Sequence, residues 1–322
     1  MKSLKKIELH LHLEGAAPAG FLRDLAARRH ESLEGILDGG GRAAWREFRD
    51  FLRAYDRVCA MLHGPMDYAR LLAAVLSECA EQGAIYVELF VAPEFCGGAD
   101  LPAWQEHLAA MEEVARAAAL SGIESRAIAT CLRHLGPERA RRSALCAAET
   151  AGGWVAGLGL AGAEDIGRPQ DFAWAFDCAR EAGLGLTAHA GEWGGPESVR
   201  GALELGVSRI GHGIRAIEDR ALVAELASRG ITLELCPGSN VALGIVPRLD
   251  RHPIARLLDA GVRVTVSTDD PPFFGTSLVQ EYQGLADCFG WDETVFRQFN
   301  LWAAEAAFCD APTRERLIKE LS

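Results

Sequence analysis

Eight short runs rich in β-forming residues recur along the 322-residue chain, at 7–13, 84–91, 125–130, 154–160, 184–189, 207–212, 231–236 and 262–268. Between them lie stretches of Ala, Arg, Glu and Leu with helical periodicity, clearest at 102–120, 137–149, 171–182 and 218–229. Strands that alternate with helices pair in parallel, because each crossover helix packs back onto the sheet. Eight such units predict an α/β fold, a (β/α)8 TIM barrel rather than an open doubly wound sheet. One connection is anomalous: residues 14–83 form a long helical insertion after the first strand, where a βα loop ordinarily takes a few residues. An insertion of that length at the catalytic end of a barrel is expected to act as a lid, and Gly39, Gly40 and Gly41 mark a loop within it. Extra C-terminal helices are expected over 292–321. With no Pro/Gly/Ser linker, low-complexity tract or internal repeat, residues 1–322 read as one barrel domain.

Lysine occurs only at Lys2, Lys5, Lys6 and Lys319. A barrel built from the residues between them contains no Schiff-base lysine, no phosphate-loop lysine and no carbamylated lysine to bridge two metals. The formal charge of −12 argues against nucleic acid or an anionic membrane as partner, since both need a cationic face. Nine cysteines at irregular spacings, with no C-x-x-C pair, describe buried thiols rather than a disulfide framework or zinc ribbon. Glu8, His10, His12 and Glu14 interrupt what would be the apolar core of a signal peptide, and no run approaches the roughly 18 to 20 apolar residues of a membrane span. A cytoplasmic protein is the expectation.

Four motifs carry chemistry. In Ile7-Glu8-Leu9-His10-Leu11-His12-Leu13-Glu14 the alternation is strict, so Glu8, His10, His12 and Glu14 share one face. In Thr187-Ala188-His189-Ala190-Gly191-Glu192 an apolar strand ends in a histidine, with a glutamate three residues on. Arg209-Ile210-Gly211-His212-Gly213 leaves a histidine between glycines that permit close backbone approach. Ser267-Thr268-Asp269-Asp270-Pro271-Pro272 sets two carboxylates after a β-branched strand. Taken singly, each has an ordinary structural alternative: strand histidines, a core histidine beside a loop glutamate, or aspartates capping a turn. All four end strands one, five, six and eight, and so converge on the barrel face where active sites of this fold lie. His10, His12, His189 and Asp269 together offer three imidazoles and a carboxylate, the donor set of a single catalytic Zn²⁺ with a position left for water.

The strings ELHLHLEGA, LAGAEDI, AHAGEWGGPESV, RIGHGIRAIED, ELCPGSNVALG and VTVSTDDPPFF resemble the adenosine deaminase family of purine aminohydrolases, in order and over nearly the whole chain. The resemblance implies one zinc per subunit, held by His10, His12, His189 and Asp269. It makes Glu192 the general acid/base, His212 the histidine that orients hydroxide together with Asp269, Asp270 the contact to purine N7 and Gly162 the backbone N–H facing N3. His12 and Glu14 are expected to border the substrate, and Phe48, Phe51 and Leu52 in the insertion to cover it, although a helix core would show the same aromatic stripe. The P-C-x-x-C of cytidine-type zinc deaminases and the H-E-x-x-H of zinc proteases are absent.

The implied reaction is hydrolytic loss of the 6-amino group from a small-molecule purine nucleoside or base. Three departures bear on which one. Glu14 stands where many adenosine deaminases carry an aspartate beside the ribose 5′-hydroxyl. Gly211 before His212 and Thr268 before Asp269 look like the nucleoside deaminases, whereas adenine deaminases more often carry Asp and Ser there. Trp193 is an unusually bulky neighbour of Glu192. The balance favours adenosine and 2′-deoxyadenosine, with adenine or a modified 6-aminopurine as the alternative. A non-catalytic purine-binding relative would be expected to lack a ligand or the glutamate, and none is missing. The oligomeric state is not legible.

Overall fold

The computed structural model describes residues 1–41 and 43–322. Strands β1 (Lys6–His12), β2 (Ala84–Val91), β3 (Glu124–Leu132), β4 (Val155–Ala161), β5 (Gly185–Ala190), β6 (Arg209–His212), β7 (Thr232–Leu235) and β8 (Arg263–Val266) pair in parallel in sequence order. All eight coincide with the runs read from the sequence, and helices lie between them, as a (β/α)8 barrel requires. The last strands are shorter than expected because the chain bends early. Cys236 leads into a helix that starts at Pro237, and His212 and Asp269 take left-handed φ values of 60° and 68°.

The barrel closes through the chain just after β8. Asp269 N–H donates to the carbonyl of His10 at 3.1 Å, and His12 N–H donates to the carbonyl of Asp269 at 3.0 Å. Ser267 Oγ accepts from the N–H groups of Leu9 and His10. Facing the same seam, the buried Glu8 carboxylate accepts both the N–H and the hydroxyl of Thr268, at 2.9 and 2.6 Å.

The expected insertion at 14–83, from which Arg42 lies outside the described residues, carries helices α1 (Ala19–Arg29), α2 (Phe48–Met61) and α3 (Pro65–Glu81). On α2, Phe48, Phe51, Leu52 and Tyr55 follow the i, i+3, i+4, i+7 spacing of one helix face. Phe51 is buried, and its ring meets Trp45, Phe273 and Phe274. This face of α2 is a packed apolar cluster, as the helix-core reading of the stripe expects.

The expected C-terminal helices are Glu293–Ala306 and Ala311–Leu321. Their apolar faces cover Ile7, Leu9 and Tyr86 at the N-terminal end of the barrel. Between them Phe308 plugs the barrel floor, where Gly157 and Gly185 leave room for its ring: a Cβ on Gly185 would lie 2.3 Å from that ring. No helix among the described residues is long and apolar enough to cross a membrane, and all nine cysteines are free thiols. Gly185→Ala should destabilise the fold by about 1–3 kcal/mol through overpacking against Phe308, read as a lower urea midpoint. An unchanged midpoint would mean that the floor yields freely.

Candidate active site

The seam sets the site. The strict alternation expected of β1 is broken by a bulge between Glu8 and Leu11, so Glu8 packs toward the outer helix α3 and Thr268 while His10 and His12 face the barrel interior, and the β1–Asp269 hydrogen bonds bring the Asp269 carboxylate level with the two imidazoles. Asp269 Oδ1 lies 3.3 Å from His12 Nε2 and 3.5 Å from His10 Nε2. His189, ending β5, points its Nε2 at His12 Nε2 across 3.1 Å. The donor atoms of His10, His12, His189 and Asp269 all fall within 4.8 Å of one another. His10 Nε2 is buried without a hydrogen-bond partner. Converging imidazole nitrogens, one of them unsatisfied, around a carboxylate fit a divalent cation, which accepts every lone pair at once.

His212 and Glu192 stand beside this cluster. His212 Nε2 is 4.0 Å from Asp269 Oδ2, and His212 Nδ1 is 3.6 Å from Glu192 Oε1. Asp269 Oδ2 also accepts the Ser239 hydroxyl at 2.7 Å. Burial, reinforced by the charges of Asp269 and Glu164, pushes the Glu192 carboxyl well above the usual carboxylate range. Burial lowers His212 to about 4, so its imidazole is neutral at pH 7. The site thus sets a carboxyl that its surroundings bias toward the protonated form beside a neutral imidazole, a pairing suited to general acid chemistry.

A cavity of about 110 Å³ opens over the cluster. His12, Glu192, Gly162, Asp270, Phe48, Phe51 and Leu52, all expected from the sequence to border a substrate or act on it, line it together. A larger cavity of about 780 Å³ lies at the opposite end, beside Trp154 and Phe308, remote from the ligand cluster.

Glu14 is the exception. Its carboxylate is buried away from the cavity lining, where Oε1 accepts the Tyr68 hydroxyl and Oε2 the Tyr55 hydroxyl, each at 3.2 Å. Burial raises it to about 7. Glu14, expected to border the substrate, is not among the residues lining this cavity and bonds instead to Tyr55, which does line it, and to Tyr68.

Glu164 was missed by the sequence reading. Its carboxylate accepts the backbone N–H groups of Gly191, Glu192, Trp193 and Gly194 at 2.6 to 3.0 Å, and also the Ser198 hydroxyl. That carboxylate fixes the loop from which Glu192 projects. Although burial would raise it, the Ser198 hydroxyl and these N–H groups hold Glu164 below its ordinary range, ionised as an anchor must be. Arg215 closes the loop by donating to the Trp193 carbonyl.

A family model described as adenosine deaminase matches residues 5–322. The chain belongs to the adenosine deaminase family. Among its relatives is an adenine deaminase of Chelativorans sp. (strain BNC1), 46% identical over 321 residues that span 99% of this chain and 98% of the relative. Among solved structures, the adenine deaminase from Arthrobacter aurescens superposes with a TM-score of 0.88 at 27% identity, covering 99% and 98% of the two chains. An amidohydrolase from Burkholderia ambifaria with bound Zn superposes at 0.87 with 26% identity, covering 99% and 91%.

The relatives named here are adenine deaminases, whereas Gly211 and Thr268 resemble the nucleoside deaminases, and the structure shows what each of these two residues does. Gly211 is required by packing: a Cβ there would lie 2.7 Å from His10 Cε1 and 3.3 Å from His189 Nδ1. Thr268 is occupied with Glu8 at the seam. Both residues are thus engaged in the barrel's own packing and hydrogen bonding. Glu164→Gln should lower kcat for deamination about 10²-fold through misplacement of Glu192, with bound metal unchanged, in steady-state assays paired with metal analysis. A wild-type kcat would show that the loop needs no such anchor.

Proposed function

We propose that this protein is an adenine deaminase, hydrolysing the 6-amino group of the free base to give hypoxanthine and ammonia, with adenosine a poor substrate. The observation that carries the reading is the closed wall of the cavity. Glu14 is committed to Tyr55 and Tyr68 and offers nothing to a ribose. Phe48 on the lid meets Trp193 on the Glu192 loop, with ring centroids 5.0 Å apart. The apolar bridge across the mouth suits a flat base and leaves little room for a bulky N9 substituent.

His10, His12, His189 and Asp269 would hold the metal, and the nitrogen-and-oxygen donor set favours Zn²⁺. When bound, the metal supplies a water of lowered pKa as nucleophile. Glu192, held protonated by its surroundings, donates to N1 and so draws electrons from C6 as attack occurs. His212 and Asp269 orient the attacking oxygen, while Asp270 faces N7 and the Gly162 N–H faces N3. Gly162 has φ of 93°, a conformation natural to glycine, and a Cβ there would crowd His134 Nδ1 at 3.1 Å. Phe48, Phe51 and Leu52 keep bulk water from the ring and strengthen each polar contact beneath them. The free thiols fit a reducing cytoplasm as the working compartment.

The test is a panel of adenine, adenosine and N6-substituted purines followed by the ultraviolet change on amine loss. Adenine should exceed adenosine in kcat/KM by about 10²-fold or more; equal values would overturn the reading. Trp193→Ala, which opens the bridge to Phe48, should narrow that ratio by about tenfold. An unmoved ratio would place discrimination elsewhere. Glu192→Gln should abolish turnover while the metal stays bound, and substantial residual activity would remove Glu192 from its role as acid.

A further inference from the structure

Below the ligand cluster, along the barrel axis, three fully buried charged side chains lie in line: Glu234, Arg209 and Glu88. Arg209 Nε pairs with Glu234 Oε1 at 2.6 Å, and Arg209 Nη2 with Glu88 Oε2 at 2.6 Å. Glu88 Oε1 accepts the Tyr86 hydroxyl and the Phe308 N–H. The guanidinium lies 3.6 Å from the centroid of the Phe308 ring and donates to the Ala306 carbonyl. At the upper end, Glu234 Oε2 lies 2.7 Å from His10 Nδ1. The reaction derived above uses none of these three charges.

The two oxygens of Glu234 are divided. Oε1 receives Arg209 Nε and the Thr187 hydroxyl, which donates at 3.0 Å, so the carboxylate is held and Oε2 alone faces His10. An ionised carboxylate only accepts hydrogen bonds, so the imidazole proton must sit on Nδ1 and the lone pair on Nε2, the nitrogen that points at His12, His189 and Asp269. We propose that Glu234, clamped by Arg209 and Thr187, is the positioning residue that fixes the tautomer and ring orientation of His10 and thereby sets the metal affinity of the cluster. Glu88, on the far side of Arg209, serves the barrel floor. The inference rests on the reading of His10, His12, His189 and Asp269 as a metal site.

Glu234→Gln tests it sharply. Arg209 and Thr187 both demand an acceptor, so the amide oxygen takes their side and the NH₂ group faces His10 Nδ1. A donor there forces the imidazole proton onto Nε2, the wrong nitrogen for a ligand. In metal-buffer competition on the folded full-length chain, Glu234→Gln should weaken Zn²⁺ binding about 10- to 100-fold, the range seen when such outer partners are lost. Glu88→Gln, which disturbs the same Arg209, should lower the thermal midpoint yet leave zinc affinity within about threefold of wild type. Thr187→Val, which keeps every charge, covers the case in which Glu234→Gln does not fold; it should weaken binding about threefold or more and alter the visible spectrum of the Co²⁺-loaded protein. Wild-type affinity in Glu234→Gln, or in Thr187→Val together with an unchanged Co²⁺ spectrum, overturns the proposal. Equal losses from Glu88→Gln and Glu234→Gln overturn it too, since the axis would then be general scaffolding. A wild-type chain that takes up no zinc refutes the metal reading itself, a result distinct from these.

Discussion

The hydrogen bonds that join β1 to the chain after β8 are the constraint on which the site depends. They close the barrel, and in the same stroke they place His10, His12 and Asp269 around one point. Asp269 can sit there only with φ at 68°, a left-handed value that costs a non-glycine residue on the order of 1 kcal/mol. The seam bonds on both sides hold that conformation. A slip of one residue along β1 would turn both histidines outward, because strand side chains alternate.

A protein interior that buries so many carboxylates is stable only because each finds partners suited to its charge. Glu8 is fastened to Thr268, Glu164 to four backbone N–H groups, Glu234 to Arg209, and Glu14 to two tyrosines. Near the cavity Glu192, Asp269 and Asp270 crowd one another, and burial together with mutual repulsion pushes Glu192 and Asp270 well above the usual range. Asp269 goes the other way: burial would raise it, but the surrounding imidazoles of His10, His12 and His212 hold it well below. Two neighbouring aspartates are thus shifted in opposite directions by their surroundings.

Residues that flank the site also answer to the packing of the barrel. Gly211 and Thr268 sit beside site residues in the sequence, where they resemble their counterparts in the nucleoside deaminases. In the fold, one is small because two imidazoles press on it, and the other is turned to Glu8. The groups at the mouth, Phe48 and Trp193, are far apart in the chain, and only docking of α2 beside the Glu192 loop brings their rings together.

The sequence by itself determined the eight strands, the helical insertion, the C-terminal helices and the strand-end positions of His10, His12, His189, His212 and Asp269. Periodicity and strand alternation are local properties, readable from neighbouring residues. Glu164 and Glu234 lay within strings already singled out, and a carboxylate in an otherwise apolar strand such as Ile231-Thr232-Leu233-Glu234-Leu235 is a signal of an axial partner. The partner's identity was not legible. Only tertiary structure decided that Glu234 meets His10 and Arg209, that Glu14 turns to tyrosines and that Phe308 fills the floor. Each of these is a contact between residues distant in sequence, chosen by barrel closure and by the need of buried charges and rings for partners, and no local pattern encodes it.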